Sequence, residues 1–413
     1  MKILFVSNLY PPAILGGYEI LCEQVCEQFI RRGHDISILT SDFSLGESTL
    51  PPFSTGKFGE RIHRKLELTR PFGENVERAR IRETVKHRKN ERVTHEILLQ
   101  EKLDLCFFWS LRRLTLGSVH AAVRTQIPFA LTLNDDFLLY YWPRRPQNLG
   151  RKFVGYALDR LPFQHNTLMG LHFPFVTAIS RSLVQDHLEA GMPLEHARII
   201  YQGIPIEQFP CKENPGERHQ PARILYAGQL HEYKGVHTVV EALILLKKLG
   251  YDAELTLAGK GNPDYEKRLH QRVKDGGVSE SVHFLGRVDR ASLSKLYQSQ
   301  DLFVFSSIWR EPFGLTHLEA MASGLPVIST TNGGPGEFLD NEENALTFEA
   351  GNTASLVDAI RKLMDDHELR RKIALFGCRS VNEFFTMNRY VDELELFLID
   401  ACDHWPQNHG SGE

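Results

Sequence analysis

A short apolar run, a break rich in glycine or polar residues, then a segment of helical periodicity: this unit recurs along the whole chain, and few folds accommodate it. Lys2–Val6 reads as a strand and residues 9–17 as a loop holding Pro11-Pro12 and Gly16-Gly17. Tyr18–Arg32 follows as an amphipathic helix stopped at Gly33, and Asp35–Leu39 is the next strand. Strands joined through a helix run parallel, and helices on both faces of the sheet make such strands apolar throughout. Similar runs stand at 104–109, 128–133 and 175–179, and again at 223–228, 254–259, 282–286, 301–307 and 326–330. The expectation is an α/β chain of two doubly wound domains in series.

The 413 residues suffice for two such cores. Residues 207–221, with three prolines and five charges between two strand-like runs, read as the connection. The expected division is a first domain over 1–205, a linker over 206–221 and a second domain over 222–385. The segment 56–102 stands apart, with 13 Lys and Arg, 8 Asp and Glu, and helical stretches such as Asn75–Leu99. It reads as one or two solvated helices, or as a basic surface for an anionic acceptor or membrane headgroups. The tail from Pro406 reads as frayed.

Charge and cysteine content narrow the function. Residues 1–205 hold 26 Lys and Arg against 21 Asp and Glu, and the remainder 22 against 31, so a net −4 conceals opposite signs on two halves. Neither half is basic enough for a nucleic-acid binder. No apolar run approaches the ~18–20 residues of a membrane span, and the N-terminus lacks the pattern of a secretory signal. The six cysteines show no paired-motif spacing, and Cys22 and Cys26 read as two packed thiols on a helix. A reduced, cytoplasmic protein is expected.

The most specific stretch is Glu311–Ile328, EPFGLTHLEAMASGLPVI. Glu311 precedes a helix beginning near Gly314, and Glu319 lies about a turn and a half along it at ~3.6 residues per turn. Glycine lets a ligand approach the backbone, and the first helical N–H groups offer an anion site. Carboxylates so spaced suit the paired hydroxyls of a ribose and a hexose on one elongated ligand.

Here the sequence resembles the retaining glycosyltransferases of family 4, which have the GT-B architecture of two Rossmann-like domains facing across a cleft. Gly16-Gly17-x-Glu19 resembles the family's N-terminal glycine loop beside the donor diphosphate. Ile179-Ser180 with Ile200–Phe209 resembles its interdomain strand, and Gly228-Gln229-Leu230 through Lys234-Gly235 its phosphate-binding segment. Phe284-Leu285-Gly286-x-Val288 resembles its nucleobase loop, and Gly333-Gly334-x-x-Glu337 the loop after the following strand. The likeness is strongest over 222–365 and weakest over 40–170.

The resemblance implies that Glu319 holds the ribose hydroxyls and Glu311 the hydroxyls of the donor sugar. The Leu315 and Thr316 N–H groups beside Gly314 then bind phosphate, Lys234 neutralises the departing diphosphate, and Val288 faces the base through its main chain. It also implies that a C-terminal helix, over 386–405, returns to the first domain. Two positions depart from the family pattern. Gln229 replaces an arginine, removing a cation from the leaving group, with Arg310 or Arg287 as candidate substitutes. Asn134, in Thr132–Phe137 ahead of Trp142-Pro143-Arg144, replaces a histidine and cannot titrate. Front-face attack, in which the donor phosphate itself takes the acceptor proton, tolerates that change.

Other chemistries fit less well. Asp135-Asp136 are adjacent rather than spaced as a metal-bridging pair, and no His-Glu-x-x-His or zinc-spaced cysteine pair is present. Gly228 to Lys234 lacks the rest of a phosphate-binding loop, and Gly259-Lys260-Gly261 does not complete a dinucleotide fingerprint. The expectation is a cytoplasmic, metal-independent, retaining hexosyltransferase without cofactor, using a UDP- or GDP-sugar. Its acceptor would be a glycan, a lipid-linked sugar or a natural product, with peripheral contact to the inner membrane face through the basic first domain. The alternatives are a nucleotide-sugar-binding protein that has lost catalysis, and a GT-B nucleotide-sugar epimerase.

Overall fold

The computed structural model describes residues 1–44, 50–70, 80–142, 168 and 171–406. The chain divides into two units, one of Met1–Ile179, Leu183–Ile200 and Val391–Glu413, the other of Ser180–Ser182 and Tyr201–Tyr390.

The first unit is built on β1 (Lys2–Ser7), β2 (Asp35–Ser41), β3 (Phe53–Thr55), β4 (Arg61–Leu66), β5 (Leu105–Ser110), β6 (Phe129–Leu133), β7 (Val176–Ala178) and β8 (Arg198–Ile199). Their order across the sheet is β3-β4-β2-β1-β5-β6-β7-β8, with only the edge pair β3–β4 antiparallel. The central strands are apolar because helices cover both faces, and Ile3–Val6 and Leu105–Trp109 are wholly buried. Helix Gly17–Arg31 contributes Leu21, Cys22, Val25, Cys26 and Phe29, so Cys22 and Cys26 are packed free thiols.

The second unit carries β9 (Ala222–Ala227), β10 (Ala253–Ala258), β11 (Val282–Gly286), β12 (Leu302–Phe305), β13 (Val327–Ser329) and β14 (Leu346–Thr347). They form an all-parallel sheet in the order β11-β10-β9-β12-β13-β14. One cluster, including Ile224, Val240, Leu243, Leu255, Val304, Ile328 and Ile360, fills the space between sheet and helices.

Three features depart from expectation. The basic segment holds strand β4, paired with β3 just before it, as well as the helix Arg80–Glu101. Arg61, His63 and Arg64 hide the β4 strand from a hydrophobicity reading, but each has a partner. Arg61 and His63 reach Glu101, and Arg64 donates to the Pro11 carbonyl at 2.6 Å. The helix is not simply solvated either, because Asn90 and Thr94 are buried and bond Thr115 and Ser118. Second, residues 206–221 do not hang between the units. Phe209 is buried, the Pro210 carbonyl accepts from Gln298 and Lys212 N–H donates to Ser323, so this stretch is a strap on the second unit. Third, Ser180–Ser182 belongs to the second unit although the residues around it belong to the first.

The helix Met387–Asp403 begins in the second unit and continues into the first, where Glu395 accepts from Arg32 at 2.5 Å and pairs with His34 at 2.6 Å. No helix among the described residues is long and apolar enough to cross a membrane. Pro143-Arg144, residues 75–79 of the expected long helix and the tail after Pro406 lie outside the described residues.

Candidate functional site

In a doubly wound sheet the crevice opens at the carboxyl ends of the strands where the strand order reverses, because the loops leaving the two central strands diverge there. In the second unit that point lies between β9 and β12. The loop after β9 carries Gly228, Gln229 and Lys234, and the loop after β12 carries Ser307 and Glu311.

The two loops meet through one ion pair. Lys234 Nζ lies 2.6 and 2.8 Å from the Glu311 carboxylate oxygens, and Ser307 Oγ donates to Oε1 at 2.5 Å. Both charged side chains are largely shielded, with 16% and 8% of their surface exposed. The approach depends on Gly235, whose φ is +64°. A Cβ there would fall 2.1 Å from the Ser306 carbonyl, so any side chain would push the loops apart. Glu311 is braced from β13, its N–H donating to Asn332 O and its carbonyl accepting from Gly334 N–H.

Four residues beyond Glu311 the helix Leu315–Ala322 begins, with Gly314 as its N-cap at φ +116°. The half-buried Leu315 and Thr316 present first-turn N–H groups, which have no acceptor within a helix. His317 packs beneath, its Nε2 2.8 Å from Ser329 Oγ. Burial pushes this imidazole down to about 3, leaving it neutral near pH 7. Anion attraction here therefore comes from Lys234 and the helix end.

Glu319 sits deeper on the same helix and is 3% exposed. Arg290 donates to its Oε1 at 3.0 Å and Tyr297 OH to its Oε2 at 3.1 Å. Burial raises its pKa against the opposing influence of Arg290 and Tyr297. Arg290 is itself held by Gln208, with Nε donating to Oε1 at 3.0 Å. The two glutamates thus have separate partners and address different parts of the crevice.

The remaining second-unit residues surround this pair. Gly228 N–H donates to Ala258 O, and Gly259 N–H to Gly286 O, stitching the strand ends together. Gln229 Oε1 accepts from Tyr233 OH at 3.2 Å. Val288 is half-buried between β11 and the helix Arg290–Ser299. Of the suggested substitutes for the missing arginine, Arg310 donates to Ser182 Oγ at 2.9 Å, and Arg287 is exposed.

The first unit reverses its strand order between β1 and β5. Gly16 caps the helix Gly17–Arg31, and its N–H donates to Glu19 at 2.8 Å. Burial raises the Glu19 carboxyl to about 7 against backbone N–H bonds from Gly16, Glu19 and Leu15. Asn134, at the end of β6, donates its amide to the Trp109 carbonyl at 2.9 Å. That bond ties β6 to the end of β5. Asp135 pairs with Arg112 at 2.8 Å and accepts from Phe137 N–H, and no group of metal-ligating side chains is found among the described residues.

The sequence-derived residues therefore gather in two places. Gly228, Gln229, Lys234, Val288, Glu311, Gly314, Leu315, Thr316 and Glu319 ring the carboxyl end of the second sheet, while Gly16, Gly17 and Asn134 lie at that of the first. Sequence reasoning missed Ser307, Arg290, Tyr297 and His317. Ser307 lies only four residues before Glu311, but nothing local distinguishes the others.

Both units are similar to known proteins. Residues 15–208 match Glycosyltransferase Family 4, and residues 209–376 match Glycosyl transferases group 1. The glycogen synthase of Mycobacterium tuberculosis is 33% identical over 401 residues, 89% of this chain and 86% of that one. A sucrose-phosphate synthase from Thermosynechococcus elongatus superposes with a TM-score of 0.74 at 19% identity, covering 97% of this chain and 98% of that one. An Anabaena protein solved with UDP-glucose gives 0.71 at 20% identity, covering 97% and 100%. On this agreement across both units, the chain belongs to the group 1 glycosyltransferases, enzymes of the GT-B fold.

Proposed function

We propose that the protein is a retaining hexosyltransferase that moves a sugar from a nucleoside-diphosphate sugar to an acceptor hydroxyl without a metal ion. The observation that carries this reading is the Lys234–Glu311 pair at the switch point, three residues from an open helix N-terminus. A cation and fixed N–H donors stand where a diphosphate leaves, and a carboxylate stands where a sugar hydroxyl or a cationic anomeric centre needs an acceptor.

In this reading the Leu315 and Thr316 N–H groups hold the diphosphate and Lys234 neutralises it as the bond from the anomeric carbon to oxygen breaks. The electron pair leaves with the nucleoside diphosphate. The acceptor oxygen bonds to the anomeric carbon on the same face, and its proton passes to the departing phosphate oxygen, so no titrating residue is needed at Asn134. Glu311 orients the donor sugar, Glu319 accepts from the ribose hydroxyls, and Val288 meets the base through its main chain. Gly228 and Gln229 line the phosphate path. The UDP-glucose bound to the Anabaena protein makes a UDP-sugar the first donor to try, with a GDP-sugar next. The acceptor is a glycan, a lipid-linked sugar or a natural product, met in the cytoplasm or at an anionic membrane face by the basic segment 56–102.

The test is a donor screen by nucleotide release with EDTA present, followed by NMR of the product's anomeric configuration. Retention in wild type and loss of transfer in Glu311→Ala support the reading, while an inverted product overturns it. A second reading, donor binding without transfer, draws on the uncharged Gln229 and on the amide of Asn134 being committed to Trp109. Stoichiometric nucleotide binding with no turnover on any acceptor would favour it.

A further inference from the structure

Outside the crevice, the strap of residues 206–221 brings together two sulfurs that the sequence separates widely. Cys211 is exposed and Cys378, on the helix His367–Phe384, is half-buried. Both lie against the turn that ends the Leu315–Ala322 helix. Cys378 Sγ is 3.5 Å from Ala322 O, Lys212 N–H donates to Ser323 O, and a Cβ at Gly324 would stand 2.9 Å from Cys211 Sγ. The absence of a side chain at Gly324, at φ +74°, leaves the Cys211 sulfur its room. The two sulfurs thus share one three-residue turn, Ala322–Gly324, and both thiols are free.

We propose that Cys211 and Cys378 are a peroxide-sensitive pair, closing to a disulfide that fastens the strap to the His367–Phe384 helix. The chemistry is set up asymmetrically. The Cys378 hydrogen bond, with the charge and N–H of Lys212, holds the Cys211 thiol below the usual range despite its partial burial. Cys211 is therefore the attacking thiolate. It attacks hydrogen peroxide and becomes a sulfenic acid, releasing water once the departing hydroxide takes a proton. Cys378, whose Sγ accepts from Asn382 Nδ2 at 3.4 Å, then attacks the sulfenic sulfur, and its thiol proton leaves with the sulfenic hydroxyl as a second water. Two thiols and one peroxide give one disulfide and two waters.

The strap also bears Gln208, which holds Arg290 against Glu319, and its Gln208 and Pro210 carbonyls accept from Ser294 and Gln298. Fastening it favours the closed Arg290–Glu319 pair over a ribose on Glu319, so oxidation weakens nucleotide binding. This last step rests on the donor reading given above.

The test uses the full chain, reduced and then treated with stoichiometric hydrogen peroxide. Thiols counted after denaturation should fall from six to four. Peptide mapping should find Cys211 joined to Cys378, and dithiothreitol should restore both thiols. Cys211→Ser should keep its five remaining thiols, and Cys378→Ser should accumulate a dimedone-reactive sulfenic acid at Cys211. The linked protein should melt about 5 °C or more higher, since the cross-link restrains the unfolded chain. A different pairing, loss of thiols unaffected by Cys211→Ser, or a lowered melting point overturns the proposal. For the coupling, UDP or GDP affinity should fall at least threefold on oxidation of wild type and stay constant in Cys378→Ser. Unchanged affinity with the link formed refutes the coupling, whereas a reduced protein that binds no nucleotide refutes the donor reading instead.

Discussion

Replacing Lys234 by methionine tests whether the two loops of the second unit are held by charge. The change keeps most of the aliphatic stem and removes the ammonium group that sits 2.6 and 2.8 Å from the Glu311 oxygens. The ~0–1 kcal/mol typical of exposed pairs does not apply, because the two side chains are only 16% and 8% exposed. Removing one partner of a fully buried pair costs about 3–5 kcal/mol, chiefly by leaving an uncompensated charge. The residual exposure of Lys234 and the bond from Ser307 soften that cost, so about 2–4 kcal/mol is expected for Lys234→Met. For a unit in the ~150–250-residue range this corresponds to a fall of roughly 4–16 °C in the melting point. Glu311→Gln alone should cost less, since no buried charge is left on the β12 side. The double variant should recover part of the loss, with a coupling of about 1–3 kcal/mol. Calorimetry and urea titration of the four proteins measure the cycle. A Lys234→Met protein within about 1 °C of wild type, or costs that add within ~0.5 kcal/mol, refutes the ion pair as the clasp.

Glu319→Ala should weaken nucleotide binding at least tenfold, about 1.4 kcal/mol, as read by calorimetric titration, and an unchanged Kd removes the ribose assignment. Gly314→Ala should destabilise the second unit by about 1–3 kcal/mol, because φ is +116° and the new Cβ would lie 2.4 Å from His317 Nδ1. A melting point equal to wild type would contradict that geometry. Acid should loosen the first unit through Glu101. Burial would raise its pKa, but hydrogen bonds from His63 and Ser37 and the charges of His63 and Arg61 hold it down to about 2. Its folded pKa lies below the unfolded 4.5, so its stabilisation is complete above that pH and drains away as pH falls toward 2. Solvent screening leaves it at up to about 3 kcal/mol. Glu101→Gln should flatten the pH dependence of unfolding between 5 and 2, and a wild-type profile in the variant would contradict the assignment.

What the chain reveals by itself is what neighbouring residues enforce on one another. Apolar runs closed by a polar or glycine break, as at Lys2–Val6 and Arg223–Gly228, announce parallel strands because only sheets covered on both faces need them. The stretch from Glu311 to Glu319 is legible because its cap and both carboxylates fall within nine residues. Arg61–Leu66 was illegible as a strand, since its charges read as solvated until Glu101 and the Pro11 carbonyl are placed beside them. The strap at 206–221 read as a linker for a like reason, because its composition is that of a loop while its partners, Gln298 and Ser323, arrive from elsewhere. Only the tertiary structure joins Lys234 to Glu311 and Arg290 and Tyr297 to Glu319, and brings Cys211 and Cys378 to one helix turn. Backbone propensity and hydrophobic period act over a few residues, whereas these pairs exist because the crossovers of a parallel sheet bring distant loops to one edge.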